Sequence, residues 1–297
     1  KRFFTKNPVI RFACAAIIFV FFLVYTASAF SGGAKLFNYI FGLDYKLALT
    51  IGAVIIISYT FLGGFFAVCW TDVIQGLLMF AALVVVPLVC IFQTPDVTAV
   101  QFLNDAGQEI TNYLNFFEGV DGSIAWTTIL SGLAWGLGYF GMPHILVRFM
   151  AIKSSDLIKK SRIIATIWVL VTLVAAVLVG IFGYIFLHSA GNEAMLAEFG
   201  AMGDVEKIFM FLSSKLLPGV IAGIVLSAIL AAIMSTADSQ LLVTASSVTN
   251  DMFMLFKKDA KEKTLMWISR GTVIVVAVIA YFIALDPDSS VMGLVSY

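Results

Sequence analysis

Residues 131–149 read SGLAWGLGYFGMPHILVRF, a stretch apolar enough to cross a bilayer yet crowded by Gly132, Gly136, Gly138, Gly141 and Pro143. One or two glycines in a membrane helix are ordinary, because they let helices pack closely. Four of them followed by a proline, with Trp135 and Tyr139 four residues apart, predict a discontinuous helix. Secondary transporters use such interruptions to expose backbone groups at mid-membrane. A purely packing role for the glycines is the competing reading. His144, just past the break, reads as a structural hydrogen-bonder ahead of a ligand or proton relay.

The surroundings of this stretch decide that it lies in a bilayer. Of 297 residues, 61% are hydrophobic and 12% charged, and the mean hydropathy is +1.02. Soluble domains carry roughly 25% charged residues. A span needs about 20 apolar residues, and seven stretches qualify, near 9–30, 47–68, 73–93, 124–149, 163–187, 217–249 and 265–285. The predicted fold class is therefore all-α transmembrane, a single domain over 1–297 with seven spans, one of them discontinuous. The second and third spans are separated only by Cys69, Trp70, Thr71 and Asp72, read here as a very short connection. The outer loops at 94–123 and 188–216 are where short surface helices are expected.

Lysine and arginine set the orientation, since they are retained on the cytoplasmic side. With the N-terminus inside, 14 of the 18 Lys and Arg fall on inner segments, leaving Lys35, Lys46, Lys207 and Lys215 outside. An odd number of span segments then puts the C-terminus outside. The inner basic residues are explained by topology and anionic headgroups, so no nucleic-acid partner is expected. Cys14, Cys69 and Cys90 are odd in number, sit in or beside apolar runs and show no metal spacing. They read as small buried hydrophobes. The chain starts KRFFTKNP without an initiator Met, so it is expected to be a piece of a longer protein.

A second polar intrusion lies at 231–242, AAIMSTADSQLL. On a helix Ser235, Asp238 and Ser239 share a face, being three and four residues apart, with Thr236 alongside. A carboxylate near a helix centre costs about 2.5–3.5 kcal/mol on insertion scales and usually faces a bundle interior or water. Hydroxyl and carboxylate oxygens suit a small hard cation and suit soft metals poorly. The competing reading lets the hydroxyls bond back to carbonyls one turn earlier. Asp72 offers a second carboxylate, which either caps a helix start or reaches the hydroxyl face around Asp238. Tyr25 in the first span reads first as packing. With two histidines and no Ser–His–Asp or Cys–His arrangement, enzymatic catalysis is not expected.

Three phrases carry a family resemblance: WGLGYFGMPHILVRFMA at 135–151, SAILAAIMSTADSQLLVTASS at 227–247 and GGFFAVCWTDVIQGLLM at 63–79. Together they resemble the sodium/solute symporter family, and within it the bacterial sodium/proline symporters. The resemblance implies the inverted-repeat (LeuT-like) fold of ten core helices, of which this chain would hold the third to ninth. It implies a sodium site from the Ala232 carbonyl, Ser235 and Thr236. A second sodium would be held by Asp72, Asp238 and Ser239, with Ser235 again. Asp238 departs from proline symporters that carry a hydroxyl there. Tyr25, Trp135, Tyr139 and Pro143 match substrate-side positions. The implied activity is sodium-coupled uptake of L-proline across the cell membrane by alternating access. The sodium ion, L-proline and the lipid bilayer are the expected partners. Another small solute (pantothenate or a monocarboxylate), or a non-transporting membrane sensor of the same fold, are the alternatives. No oligomeric state follows.

Overall fold

The computed structural model describes residues 7–94, 96–97, 100–103, 109–110, 113–115, 117–119, 123–257, 259–287 and 290–295, apart from the side chains of 62–67 and 140. Lys1, Arg2, Lys6 and Lys258, used above for orientation, lie outside that description. Eleven α-helices are described: α1 (Pro8–Phe41), α2 (Tyr45–Gln93), α3 (Trp126–Gly138), α4 (Pro143–Met150), α5 (Leu157–His188), α6 (Glu193–Gly200), α7 (Ile208–Leu216), α8 (Gly219–Ser246), α9 (Met254–Phe256), α10 (Glu262–Ile283) and α11 (Val291–Val295). A π-helical turn, Ser247–Phe253, joins α8 to α9. Among the described residues five helical stretches are long and apolar enough to cross a membrane, and Tyr45–Phe61 is a shorter apolar helix.

One expectation is corrected. Residues 69–72 are helical, so the second and third predicted spans form one run of 49 residues. Nothing in Cys69–Asp72 breaks a helix, whereas polarity alone had marked it as a link. A straight helix of that length would extend about 74 Å, more than twice a ~30 Å hydrocarbon layer, so it still carries two spans' worth of residues. In 94–123 the described residues include isolated bridges, Leu103 with Glu109 and Glu118 with Ile124, and much of the segment lies outside the described residues. In 188–216 the expected short helices are present as α6 and α7.

The chain divides into two units, 1–86 with 204–297, and 87–203, the boundary falling at Pro87 inside α2. In the first unit, α1 starts at Asn7, whose side chain accepts the N–H groups of Val9 and Ile10 at 3.0 and 3.4 Å, with Pro8 at the first helical position. It ends at Gly42, in the left-handed region at φ 63°, whose N–H bonds Asn38 O at 2.9 Å. A Cβ at Gly42 would meet nothing within 4 Å, so the cost of Gly42→Ala is purely conformational. It is expected to be about 1 kcal/mol, read as a lowered unfolding midpoint without loss of activity.

The core of this unit is built from small residues. Ala27, Ala34, Ala48, Ala237, Ala245, Ala277 and Ala280 are fully buried among Phe30, Leu49, Leu241 and Val276. Ile233 of α8 lies 3.6 Å from where a Cβ on Gly32 would sit. Lipid supplies no hydrophobic drive between helices, so close approach of small residues and interhelical hydrogen bonds hold them together. The bonds are present: Tyr45 Oη donates to Ala284 O at 2.9 Å, and Thr26 Oγ1 approaches Gln240 Oε1 at 3.5 Å. At one end of α1, Arg11 donates to Asn250 O at 2.7 Å and pairs with Asp251 at 3.4 Å. At the other, Lys35 pairs with Asp204 at 3.1 Å and Glu206 at 2.6 Å. Residues assigned to the inner side thus gather at one end and those assigned to the outer side at the other.

In the second unit, α5 carries the connecting segment. Phe102 stacks on Tyr113 at 4.2 Å and on Tyr184 at 5.1 Å, and Leu103 N–H donates to Tyr184 Oη at 3.1 Å. His188 stacks on Tyr184 at 3.8 Å, with Nδ1 2.9 Å from Tyr184 O, a structural arrangement.

Candidate functional site

The polar run at 231–242 lies in the middle of α8, so the three- and four-residue spacings become one helical face as expected. Ser235 Oγ donates to Ala232 O at 3.0 Å and Thr236 Oγ1 to the same oxygen at 2.9 Å. Both hydroxyls thus bond back to a carbonyl one turn earlier, as the competing reading has it. The hydroxyls converge on the carbonyl that the family resemblance names as their co-ligand. Each hydroxyl keeps two acceptor lone pairs while it donates, so the cluster presents oxygens as well as satisfying itself.

One turn on, Asp238 and Ser239 are buried at 0% and 7% exposure. Asp238 Oδ1 accepts a hydrogen bond from Thr60 Oγ1 of α2. Its Oδ2 is buried and has no hydrogen-bond partner among the described residues. Next to it along α2, Tyr59 Oη donates to Thr71 Oγ1, and Thr71 Oγ1 also donates to Val68 O at 3.0 Å. Asp72 belongs to the same α2 that carries Thr60, twelve residues further on. Its capping reading falls away, since no helix begins there.

The donor set fits a hard alkali cation. It is all oxygen, mixing hydroxyls, a carbonyl and a carboxylate, and one carboxylate oxygen is left without a proton donor. Among the described residues no group of three or more His, Cys, Asp or Glu is gathered to hold a transition metal.

Tyr25 is half-buried on α1, where its carbonyl accepts from Ser28 Oγ at 2.8 Å. Trp135, Tyr139 and Pro143 belong to the other unit. There the expected break is present: α3 ends at Gly138, a 3₁₀ turn covers Tyr139–Gly141, Met142 is extended at φ −62°, ψ 112°, and Pro143 opens α4. Pro143 forbids helical backbone at Met142 by clashing with it and is itself well suited to a first helical position. Trp135 and Tyr139 are 39% and 46% exposed within their unit, so both rings have open faces beside the break.

Sequence reasoning missed Thr60. The signal was available: a hydroxyl in the phrase ISYTFLGG, placed in an apolar span. It also missed the Lys35 network, although a lysine next to the small-residue run of α1 faced two acidic outer residues. Both depend on partners more than 160 positions away.

The sodium:solute symporter family model matches residues 1–297. The chain belongs to this family. Among its relatives, the osmoregulated proline transporter OpuE of Bacillus subtilis is 42% identical over 298 residues, covering 100% of this chain and 58% of the relative. The sodium/proline symporter of Escherichia coli is 41% identical over 298 residues, covering 100% and 57%. The chain thus spans less than two thirds of the length of these symporters. A solved structure of a sodium-coupled sialic acid symporter, bound to substrate in an outward-open state, aligns at a TM-score of 0.74 with 18% identity, covering 94% of this chain and 58% of that one. That likeness gives the symporter fold, an all-helical membrane architecture, which is the fold class expected from the sequence.

Proposed function

We propose that the protein is a secondary active transporter that couples inward movement of sodium to uptake of L-proline by alternating access. The observation that carries this reading is the convergence of Ser235 and Thr236 on Ala232 O, at 3.0 and 2.9 Å, in the middle of a membrane helix. It is supported by membership in the symporter family and by the proline transporters at about 40% identity. Sodium held by Ala232 O, Ser235 and Thr236 would favour one conformation of the protein over the other, and such differential affinity is what couples two ligands. A membrane potential adds about 2.3 kcal/mol per charge per 100 mV, enough for one sodium ion to concentrate substrate well above its outside level. Asp72, Asp238 and Ser239 serve as a second sodium site in this reading. Tyr25 in one unit, and Trp135, Tyr139 and Pro143 in the other, are substrate-side residues in this reading, aromatic rings being suited to the apolar ring of proline. The chain forms one transporter domain in the cell membrane, its N-terminus cytoplasmic and its C-terminus extracellular, and none of its chemistry is enzymatic.

The test is uptake of labelled L-proline into proteoliposomes of the full-length protein. An inward sodium gradient is expected to raise initial uptake at least tenfold over a potassium gradient. Excess unlabelled proline should compete where pantothenate and monocarboxylates do not. Sodium-independent uptake would overturn the coupling, and competition by one of the other solutes would reassign the substrate.

A further inference from the structure

The mechanism above uses the oxygens of α8 and leaves open what orients the charged one. Asp238 is fully buried, and so is Thr60, at 2% exposure. Thr60 Oγ1 stands between Ile56 O, at 2.9 Å on its own helix, and Asp238 Oδ1 across the interface. The neighbouring hydroxyls of Tyr59 and Thr71 are engaged with each other, so Thr60 supplies the neutral donor that Asp238 receives. Oδ2 then stays buried with no proton donor among the described residues. A buried carboxylate oxygen without a partner is costly unless a cation or donor compensates it.

We propose that Thr60 is a positioning residue of the sodium machinery, its hydroxyl fixing one oxygen of Asp238 so that the other serves as a charged ligand for sodium. The inference rests on the sodium-coupled reading given above. Threonine suits the role because its branched Cβ holds few rotamers in a helix. Its single proton lies within reach of both Ile56 O and Asp238 Oδ1, and an ionised carboxylate, the stronger acceptor, draws it. Asp238 in place of a neutral ligand adds a full charge to the site, and a charged ligand demands a fixed direction more than a hydroxyl does.

Thr60→Val keeps the side chain's shape and removes the donor. In the full-length protein it is expected to raise the sodium concentration for half-maximal proline uptake about tenfold, the scale of one hydrogen bond to a charged group. Uptake at saturating sodium and the KM for proline should stay within about twofold of wild type on the same grounds. Thr60→Ser, which restores the donor, should return the sodium requirement to within about twofold. In an Asp238→Asn background, Thr60→Val should add nothing. A second readout needs no transport: the sodium concentration that half-maximally raises the melting temperature of the purified protein, which should shift in parallel. If Thr60→Val does not fold, Thr60→Ala and Thr60→Ser are compared by the same two readouts. The proposal is overturned if the sodium requirement is unchanged in the valine or alanine variant. It is equally overturned if uptake falls by the same factor at every sodium concentration and serine fails to restore it. Should wild type show no sodium-dependent melting, the sodium-site reading falls and takes this inference with it. Sodium-dependent melting that is identical in wild type and Thr60→Val sinks this inference alone.

Discussion

Neutralising Asp204 and Glu206 together, as Asn and Gln, is expected to destabilise the protein by about 3–5 kcal/mol, the cost of stranding a buried charge. Lys35 is 6% exposed, and its ammonium is held by both carboxylates, at 3.1 and 2.6 Å. The carboxylates themselves are about a quarter exposed, at 22% and 25%. The asymmetry predicts an order of effects. Lys35→Met removes the buried charge and leaves two acids that water can reach, so it should cost only about 1 kcal/mol, the scale of a partly solvated pair. Removing the acids leaves the ammonium with nowhere to go. Replacing all three at once should recover most of the loss, because an apolar set can substitute for a buried ionic one. Glu206 also accepts the N–H groups of Val291 and Met292, at 3.1 and 3.3 Å, so part of its loss survives in the triple variant. Denaturant unfolding of the full-length protein in detergent measures the series. Equal effects from Lys35→Met and from the double acid variant would show that the network is solvated and unimportant.

The second large effect concerns sodium. Replacing Ser235 and Thr236 together by alanine is expected to raise the half-saturating sodium concentration at least 100-fold. Each hydroxyl bonded to a charged partner contributes about 1.5–3 kcal/mol, and about 1.4 kcal/mol is a factor of ten. Stability should hardly move, because both hydroxyls bond the carbonyl of their own helix and alanine is a better helix former than either. The single variants should each give a smaller rise. Uptake whose sodium dependence survives the double variant would place the coupling ion elsewhere. A global loss of folded protein, with no change in sodium dependence for the part that folds, would reduce both hydroxyls to packing.

How far each feature could be read beforehand depended on how local its cause was. The break at Met142 was legible because glycines and Pro143 act on their own backbone. The face of α8 was legible because a helix has a fixed period, and Ser235, Thr236 and Asp238 reveal themselves by being polar where lipid is expected. Residues 69–72 were misjudged because polarity was taken for a break, while helix continuity depends on backbone hydrogen bonds that Trp70 and Thr71 can make perfectly well. Thr60 stayed hidden because a threonine in a helix ordinarily bonds the carbonyl four residues back, and here Ile56 O lies within reach at 2.9 Å. Only the packing of α2 against α8 reveals its second partner. The π-helical turn at Ser247–Phe253, where Arg11 reaches Asn250 O, left no trace in the hydropathy pattern.

In the proposed transport cycle this point of α8 would stand without an ion for part of each turn, and oxygens gathered for a cation would then repel one another. The two hydroxyls hinged on Ala232 O avoid this. Each proton can turn onto the carbonyl or away from it by rotation about one Cβ–O bond, a motion of picoseconds to nanoseconds. Under the proposed sodium reading, rotation of these protons would be faster by orders of magnitude than helix movements, which take microseconds to milliseconds.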